Sequence, residues 1–279
     1  MIEKNKIMKR SARWTTIGIA SLLFLFPLYW TITRSLMPLQ ASFRLPPVWI
    51  PTDLTLDAYT AILLDGPYLD YLFNSTVTTV IAIALSLVLG VPATYALVRF
   101  EFPYKLDKHI SFFLLSLFML PPVVPSLSYY DIFQSLNIFD SQIGLGLAYT
   151  VFNLPLVVWF TRGFISDVPD SIREAALIDG ATEFEIFRYV YLPLIKPGIA
   201  AAAIISFILT WNEYLLALIL TSLNAQTMPV GITEFVGQYT IAWNELSAGL
   251  VLVTLPGIIF IIFTQKYIIS GLTQGAIKE

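Results

Sequence analysis

The chain has 279 residues, of which 57% are hydrophobic and only 13% are charged, and its mean hydropathy is +0.75. Because soluble domains carry about 25% charged residues, this composition predicts an integral membrane protein. The absence of cysteine excludes disulfides, thiolate metal sites and cysteine nucleophiles, and a single histidine, His109, excludes paired-histidine zinc motifs. We therefore predict no catalytic residue and no metal site.

The N-terminus combines a basic segment with an apolar one. Five Lys and Arg residues lie within residues 1–13 and precede an apolar stretch at 14–33. At ~1.5 Å per residue this stretch is long enough to cross a ~30 Å hydrocarbon core. A cleaved signal peptide would have a shorter apolar region and a small-residue cleavage site, and neither is evident. Residues 14–33 are therefore predicted to form an uncleaved first span.

Further apolar stretches follow along the chain, separated by polar loops. They predict five more spans, at 72–98, 110–130, 143–160, 198–220 and 247–269. Unpaired backbone amide groups are costly in lipid, so all of these spans should be α-helical. The sequence thus predicts an all-α integral membrane protein with six transmembrane helices.

Basic residues are distributed very unevenly between the two sides of this arrangement. Of the 16 Lys and Arg residues, only Arg34 and Arg44 fall on the side opposite the two termini. The positive-inside rule therefore places both termini in the cytoplasm, together with the polar segment 169–197. The predicted division is a cytoplasmic N-terminal tail (1–13), a six-span membrane domain (14–270) and a cytoplasmic C-terminal tail (271–279).

The polar segment 169–197 lies between two apolar spans and is predicted to fold as two short helices. Ser171 and Glu174 have the spacing of a capping box for the first helix. Gly180 suits the left-handed position that ends such a helix. Thr182 and Glu185 repeat the capping pattern for the second helix.

The second helix is predicted to run to about Leu192 and to stop at Pro193, because proline cannot continue a helical hydrogen-bond ladder. In the first helix, two consecutive alanines leave a face without bulk. Such a face suits close docking into a groove on another protein.

This segment resembles the EAA loop of the permease subunits of ATP-binding-cassette (ABC) importers. The residues that carry the resemblance are Glu174, Ala175, Ala176, Gly180, Val190, Leu192 and Pro193. One of them departs from the family pattern, since Val190 stands where the family has isoleucine. The resemblance implies the type I importer fold, in which the helix with the two alanines couples the membrane helices to a separate ATPase.

The chain has no G-x-x-x-x-G-K-[ST] phosphate-binding loop, so it is not expected to be an enzyme by itself. ATP and magnesium would be used by the partner ATPase. The resemblance implies two ATPase subunits, a second and paralogous permease, and an extracytoplasmic substrate-binding protein, all at the bacterial inner membrane. Nucleic-acid binding is not expected, because the N-terminal basic residues adjoin a span.

Two further stretches are similar to the maltose- and trehalose-type branch of these permeases. Asn74 and Ser75 begin the second span as they do in that branch, and the C-terminus fits its G-L-T-x-G-x-x-K ending. The family's tail reaches between the ATPase subunits, which implies ATPase contacts for Gly271, Thr273 and Gly275. The alternative is a frayed chain terminus.

Glu213 is the only acidic residue within a predicted span, in the sequence Trp211-Asn212-Glu213. Counted from Gly198 at ~1.5 Å per residue, it lies ~22 Å from the cytoplasmic entry. An ionisable group at that depth is costly and should face the bundle interior or water. Two hypotheses follow: the three residues line the translocation path or a gate, or the carboxylate is bonded to a neighbouring helix or partner subunit.

We therefore expect the transmembrane subunit of an ATP-driven importer for a sugar or related osmolyte of the di- or oligosaccharide class. The sequence does not name the solute, and it leaves trehalose, maltodextrin, a glycosyl-polyol and glycerol phosphate all open. The alternative is a secondary carrier or channel for a small polar solute, but carriers are expected to use more intramembrane ionisable groups. A structural membrane subunit without a pore is a third possibility.

Overall fold

A computed structural model describes residues 2–235 and 241–274, and its long elements are all helices. They follow in the order α1 (Ile2–Ser35), α2 (Asp57–Thr60), α3 (Tyr68–Arg99), α4 (Leu106–Phe118), α5 (Val123–Ser135), α6 (Gln142–Ser166), α7 (Asp170–Ile178), α8 (Glu183–Glu185), α9 (Leu192–Leu194), α10 (Lys196–Trp211), α11 (Leu215–Leu220), α12 (Met228–Gly231) and α13 (Trp243–Gln274). Short 3₁₀ segments lie at Leu39–Phe43, Pro103–Lys105 and Ile232–Phe235, and π-helical turns at Ala61–Asp65 and Ile186–Tyr191.

Four helices in the described residues are long and apolar enough to cross a membrane. They are Arg13–Ser35 within α1, all of α3 and α6, and Trp243–Thr264 within α13. Two further candidates are bent pairs, Pro103–Phe118 with Val123–Ser135 at 95° and Glu183–Leu194 with Lys196–Trp211 at 73°. The number of candidate spans is therefore four, or up to six if each bent pair is one span.

The predicted spans 110–130 and 198–220 each contain a break instead of one continuous helix. The first break separates α4 from α5 and includes Pro121 and Pro122. Proline has no backbone N–H and its ring clashes with the preceding turn, so the helix ends there. The second break separates α10 from α11 and contains Glu213, which is considered with the candidate site below.

The helices fall into two compact units, of which the first comprises residues 1–69 and 232–255. Its helix α1 begins at Ile2, so the predicted N-terminal tail and first span form one helix. From Arg13 to Tyr29 this helix is exposed on every face. A helix that is apolar all round must be covered by lipid or by another protein. The loop after α1 covers its end, where the Tyr29 hydroxyl donates to the Trp49 carbonyl at 2.6 Å.

The second unit comprises residues 70–231 and 256–279, and within it α3 packs along α6. The two helices run parallel, and glycines allow their close approach. A Cβ on Gly90 would lie only 2.8 Å from Val157, and one on Gly146 only 2.6 Å from an α3 side chain. One turn beyond the Gly90 contact, the Thr161 hydroxyl donates to the Thr94 hydroxyl at 3.1 Å. Small residues permit such packing in membranes, where dispersion contacts between helices replace the hydrophobic effect.

The N-terminal part of α3 holds the loop that joins α11 to α12. The Asn74 amide donates to the carbonyls of Asn224 at 3.0 Å and Gln226 at 2.9 Å. The neighbouring Ser75 hydroxyl accepts the N–H of Met228 at 2.8 Å. Asn74 and Ser75, which carry part of the family resemblance, therefore hold this loop in place. They pair backbone groups of a loop that makes few hydrogen bonds with itself.

Asp140, in the turn between α5 and α6, holds the same loop from its other side. Its carboxylate accepts the backbone N–H groups of Ser222 at 2.8 Å and of Leu223, Asn224 and Ala225 at 3.1 Å each. Partial burial by itself would raise the pKa of Asp140, but the four N–H groups outweigh it, so the pKa lies below its ordinary value. The turn and the loop are thus fastened by one ionised carboxylate.

Candidate coupling site

The first helix of the polar segment is α7, and it begins two residues earlier than a cap at Ser171 would require. Its N-cap is Pro169, which makes no side-chain capping hydrogen bond, so the predicted capping box of Ser171 and Glu174 is wrong. Proline fixes the extended backbone of the preceding turn, and the helix starts directly after it. Asp170 then occupies the first turn, where a carboxylate is favoured by the helix dipole and pairs with Arg99.

The end of α7 confirms the prediction for Gly180, whose φ is +84°. The N–H of Gly180 donates to the carbonyl of Leu177, and the N–H of Ala181 donates to that of Ala176, both at 3.0 Å. This pair of bonds is the Schellman motif, which requires a left-handed residue at this position. A Cβ on Gly180 would meet no atom within 4 Å, so the constraint comes from the backbone conformation alone.

The start of the second helix confirms the predicted capping box. The Glu185 carboxylate accepts the N–H of Thr182 at 2.8 Å, and the Thr182 hydroxyl accepts the N–H of Glu185 at 3.3 Å. The predicted stop at Pro193 is wrong, because helical structure continues through a π turn and α9 to Leu194. Pro193 lies in the first turn of α9, a position at which helices tolerate proline.

The motif residues divide between the surface and the core. Glu174 and Ala175 are exposed, whereas Ala176 packs against a buried cluster that contains Tyr191. Leu192 packs against the same cluster. Large apolar side chains stand exposed nearby, namely Ile178 (87%), Phe184 (71%) and Tyr189 (73%). Exposed apolar side chains beside charged ones are typical of a surface that another protein covers.

Arg99, the last residue of α3, joins this segment to the membrane helices. Its side chain is only 8% exposed, and its guanidinium donates to the carbonyl of Ile165, to that of Val168 at 2.6 Å, and to the carboxylate of Asp170. The same guanidinium lies 5.1 Å from the centre of the Tyr191 ring. One side chain therefore fixes the end of α6, the start of α7 and the π turn relative to α3.

A second polar contact lies one turn before Arg99 on α3. The Tyr95 hydroxyl donates to the Glu183 carboxylate at 2.8 Å, and Arg173 of α7 forms an ion pair with the same carboxylate. This bond to Glu183 raises the pKa of Arg173 above its ordinary value. The Tyr95 ring also packs edge-on against Tyr191, with 4.8 Å between ring centres. The segment is thus held to α3 at two levels.

Sequence reasoning missed this pair of contacts. Arg99 contributed only to the count of basic residues, and no contact was predicted for Tyr95. The available signal was a basic residue at the end of a span followed by a segment rich in both charges. Which charges pair depends on how α3 and α6 pack, and that packing is not visible in sequence spacing.

The three residues predicted for the path, Trp211, Asn212 and Glu213, lie where α10 ends. Trp211 is buried, and its ring stacks on Phe207 with 5.4 Å between ring centres. The Asn212 side chain is exposed and donates to the Ile208 carbonyl of its own helix at 2.8 Å. The structure therefore does not bring the three side chains to one surface.

Glu213 has two contacts of different kinds. Its carboxylate accepts the N–H groups of Leu216 at 3.0 Å and Ala217 at 3.3 Å, so it serves the free donors at the start of α11. It also lines a half-open cavity of about 220 Å³. The polar side chains on the cavity wall are those of Tyr149, Asn153, Thr210 and Glu213. Among them Asn153 donates to Thr210 at 2.7 Å.

The C-terminal residues predicted to contact an ATPase are only partly described. Gly271 and Thr273 belong to α13, which continues to Gln274, so the helix extends beyond the predicted boundary at residue 270. Gly275 lies outside the described residues.

Together these features define a helical membrane subunit that presents a firmly held, partly apolar loop. Residues 72–274 match the family described as "Binding-protein-dependent transport system inner membrane component", and the chain belongs to this family. It is therefore a permease subunit of an ABC importer, and it crosses the bacterial inner membrane several times.

Known proteins resemble the chain over nearly its whole length. It is 35% identical over 274 residues to the trehalose transport system permease protein SugB of Mycobacterium tuberculosis (strain CDC 1551 / Oshkosh), covering 97% of this chain and 98% of the relative. It is 32% identical over 254 residues to the diacetylchitobiose uptake system permease protein DasC of Streptomyces coelicolor, covering 91% of each. A solved bacterial ABC transporter that imports the acidic polysaccharide alginate shares the fold, with a TM-score of 0.78 over 94% of this chain and 97% of that chain at 22% identity.

Replacing Gly180 by valine should loosen the polar segment without preventing membrane insertion. A β-branched residue in the left-handed region costs about 1–3 kcal/mol, which is enough to populate open states of the loop about tenfold more. We expect faster tryptic cleavage at Arg188 in the purified chain. The control is Gly163→Val, since Gly163 also has no atom within 4 Å of a built Cβ but lacks a positive φ. Equal cleavage of the two variants would contradict a backbone constraint at Gly180.

Replacing Arg99 by glutamine should destabilise the second unit. It removes the guanidinium donor from the carbonyls of Ile165 and Val168, at about 1–3 kcal/mol for a buried group left unpaired. We expect a lower midpoint of thermal unfolding in detergent, with Arg99→Lys between the variant and the unmodified chain because lysine lacks the planar fork. The matched control is Arg188→Gln, at an exposed position. If both glutamine variants unfold at the same temperature, Arg99 does not hold the segment.

Proposed function

We propose that this chain forms half of the pore of an ATP-driven importer for a sugar of the di- or oligosaccharide class. The observation that carries the proposal is the segment α7–α9, which presents Glu174 and Ala175 at the surface and is held rigidly to α3 by Arg99 and Tyr95. The sugar class is supported by relatives named for trehalose and diacetylchitobiose, which match more than 90% of the chain.

The proposed assembly contains four kinds of subunit. Two ATPase subunits use ATP and magnesium, and each docks a polar segment of one permease. The second permease is a paralogue, and it is one candidate to cover the exposed apolar faces of α1. An extracytoplasmic binding protein delivers the sugar from the other side. In this arrangement both termini lie in the cytoplasm, and Gly271, Thr273 and Gly275 extend toward the ATPase.

The proposed mechanism is rigid-body coupling. Closure of the ATPase subunits on ATP displaces α7, which lies on their surface. Because Arg99 ties α7 to α3 and to the end of α6, the displacement is passed to these helices instead of being absorbed by a flexible loop. The pore then alternates between inward- and outward-facing states, and the solute gains access to one side at a time.

Glu213 has a part in this mechanism as a positioning residue. We propose that it holds the break between α10 and α11 open toward the cavity of about 220 Å³, as a fixed point of the path or gate. Support comes from its bonds to the N–H groups of Leu216 and Ala217, which need an acceptor but not a charge.

The docking proposal is tested by Ala175→Arg. Arginine adds bulk to the exposed face that would enter the ATPase groove, so we expect the ATPase to be lost when the complex is purified through this chain. Insertion of the permease should be unaffected. The control is Glu101→Arg, which introduces the same side chain at an exposed position on the predicted cytoplasmic side, outside the segment. ATPase retained by Ala175→Arg, or sugar uptake into liposomes by the chain alone, would rule out this mode of coupling.

The role of Glu213 is tested by comparing two substitutions. Glutamine keeps an oxygen acceptor for Leu216 and Ala217, so we expect Glu213→Gln to transport the sugar at a rate near that of the unmodified importer. Alanine removes the acceptor, at about 0.5–2 kcal/mol for a lost helix cap, and should reduce uptake several-fold. Uptake is measured in vesicles that contain the whole importer and its loaded binding protein. An equal defect in both variants would show that the negative charge itself is needed.

A further inference from the structure

A groove of about 320 Å³ lies between α4 and α6, separate from the polar segment 169–197 and from the cavity at Glu213. On α6 the lining side chains are spaced i, i+3, i+4 and i+7, and α4 has the same spacing with one addition, Leu114, so each helix presents a single face to the groove. The two faces are polar at one end and apolar at the other. The groove is therefore amphipathic along its length.

The polar end is built from Lys108 and Ser111 of α4 and Arg162 of α6. The Arg162 guanidinium donates to the Ser111 hydroxyl at 2.6 Å. Within the part of the chain that the structure describes, neither Lys108 nor Arg162 forms an ion pair with a carboxylate. Two cations thus line one groove, and both retain donors for an incoming anion.

The apolar end consists of aromatic and aliphatic side chains. Phe112 is 72% exposed and Trp159 is 61% exposed, and Leu115, Pro155 and Val158 complete the walls. Such exposure is unfavourable in water and natural beside lipid chains. Tryptophan in particular is typical of the boundary between hydrocarbon and headgroups, where its ring lies in the apolar region and its N–H reaches polar groups.

We propose that this groove binds an anionic phospholipid. The phosphate lies between Lys108 and Arg162, and the acyl chains run along Phe112 and Trp159. Basic pockets between membrane helices are known to recognise anionic headgroups, and a guanidinium matches the geometry of a phosphate. A free phosphate would leave the apolar end empty, whereas the bilayer supplies both chemistries in one molecule. The proposal depends only on the membrane location of the chain and not on what the importer carries.

A lipid bound in this groove would also affect how the polar segment 169–197 is held. Arg162 lies one turn before Ile165, whose carbonyl accepts from Arg99. A lipid that holds Arg162 and Lys108 together therefore links α4 to the same end of α6 that Arg99 links to α3. We expect the bound lipid to raise the thermal stability of the second unit.

The test uses the full chain purified in detergent together with the subunits that accompany it. Retained phospholipid is identified by native mass spectrometry, and binding is titrated through the thermal midpoint with phosphatidylglycerol or phosphatidylcholine. We expect about one tightly held anionic lipid per chain. In the double variant Lys108→Ala/Arg162→Gln, the affinity for phosphatidylglycerol should fall about tenfold or more. Each basic residue near an anionic headgroup raises the affinity about fivefold, and the variant removes two of them.

Two controls separate recognition from folding. Lys105→Ala/Arg188→Gln removes the same charge at exposed positions outside the groove and should bind phosphatidylglycerol like the unmodified chain. The exchange Lys108→Arg/Arg162→Lys keeps both charges and should retain the preference for anionic lipid. The proposal is overturned if the first double variant binds phosphatidylglycerol normally. It is equally overturned if inorganic phosphate displaces the lipid at comparable concentration, or if cross-linking from Phe112 captures a helix of another subunit.

Discussion

The arrangement of the polar segment 169–197 depends on the contacts that the Arg99 guanidinium makes. The last carbonyls of α6 have no partner within their own helix, and they point to the place where α3 also ends. Arg99 donates to the carbonyl of Ile165 in the last turn of α6, to that of Val168 just beyond the helix, and to the carboxylate of Asp170 that opens α7. Carbonyls that would otherwise need water as a hydrogen-bond donor are thereby bonded to α3. The surface segment takes its orientation from two membrane helices at once.

The same logic operates at the other end of α3. There the connection between α11 and α12 is held by Asn74 and by Asp140, which together serve backbone groups that have no helical partner. A single long helix thus carries a fixed loop at each end, one through a cation and the other through an amide. Since the loops are tied to side chains of α3 and not merely to their own flanking helices, movement of α3 must carry both of them.

Two helix breaks, α4–α5 and α10–α11, lie beside the cavity of the second unit. The α10–α11 break leaves several N–H groups without carbonyl partners inside an apolar unit, and Glu213 satisfies two of them. The α4–α5 break follows from adjacent prolines. Each break opens the wall of the bundle beside the cavity that Tyr149 and Asn153 line. The carboxylate that the free N–H groups require therefore lies on the wall of this cavity, which is the path we propose for a polar solute.

The amino-acid sequence by itself determined the membrane class, the approximate positions of the apolar helices, the left-handed Gly180 and the capping box at Thr182, because hydropathy and backbone conformation are local properties. It misplaced the start of α7, where Pro169 and not Ser171 is the N-cap, and the end of the second helix, which continues past Pro193. Whether a proline starts, ends or continues a helix depends on the turns beside it. Only the tertiary structure decided that Arg99 and Tyr95 hold the segment and that Glu213 serves a helix start. These contacts join residues far apart in the chain, and helix packing, not spacing, brings them together.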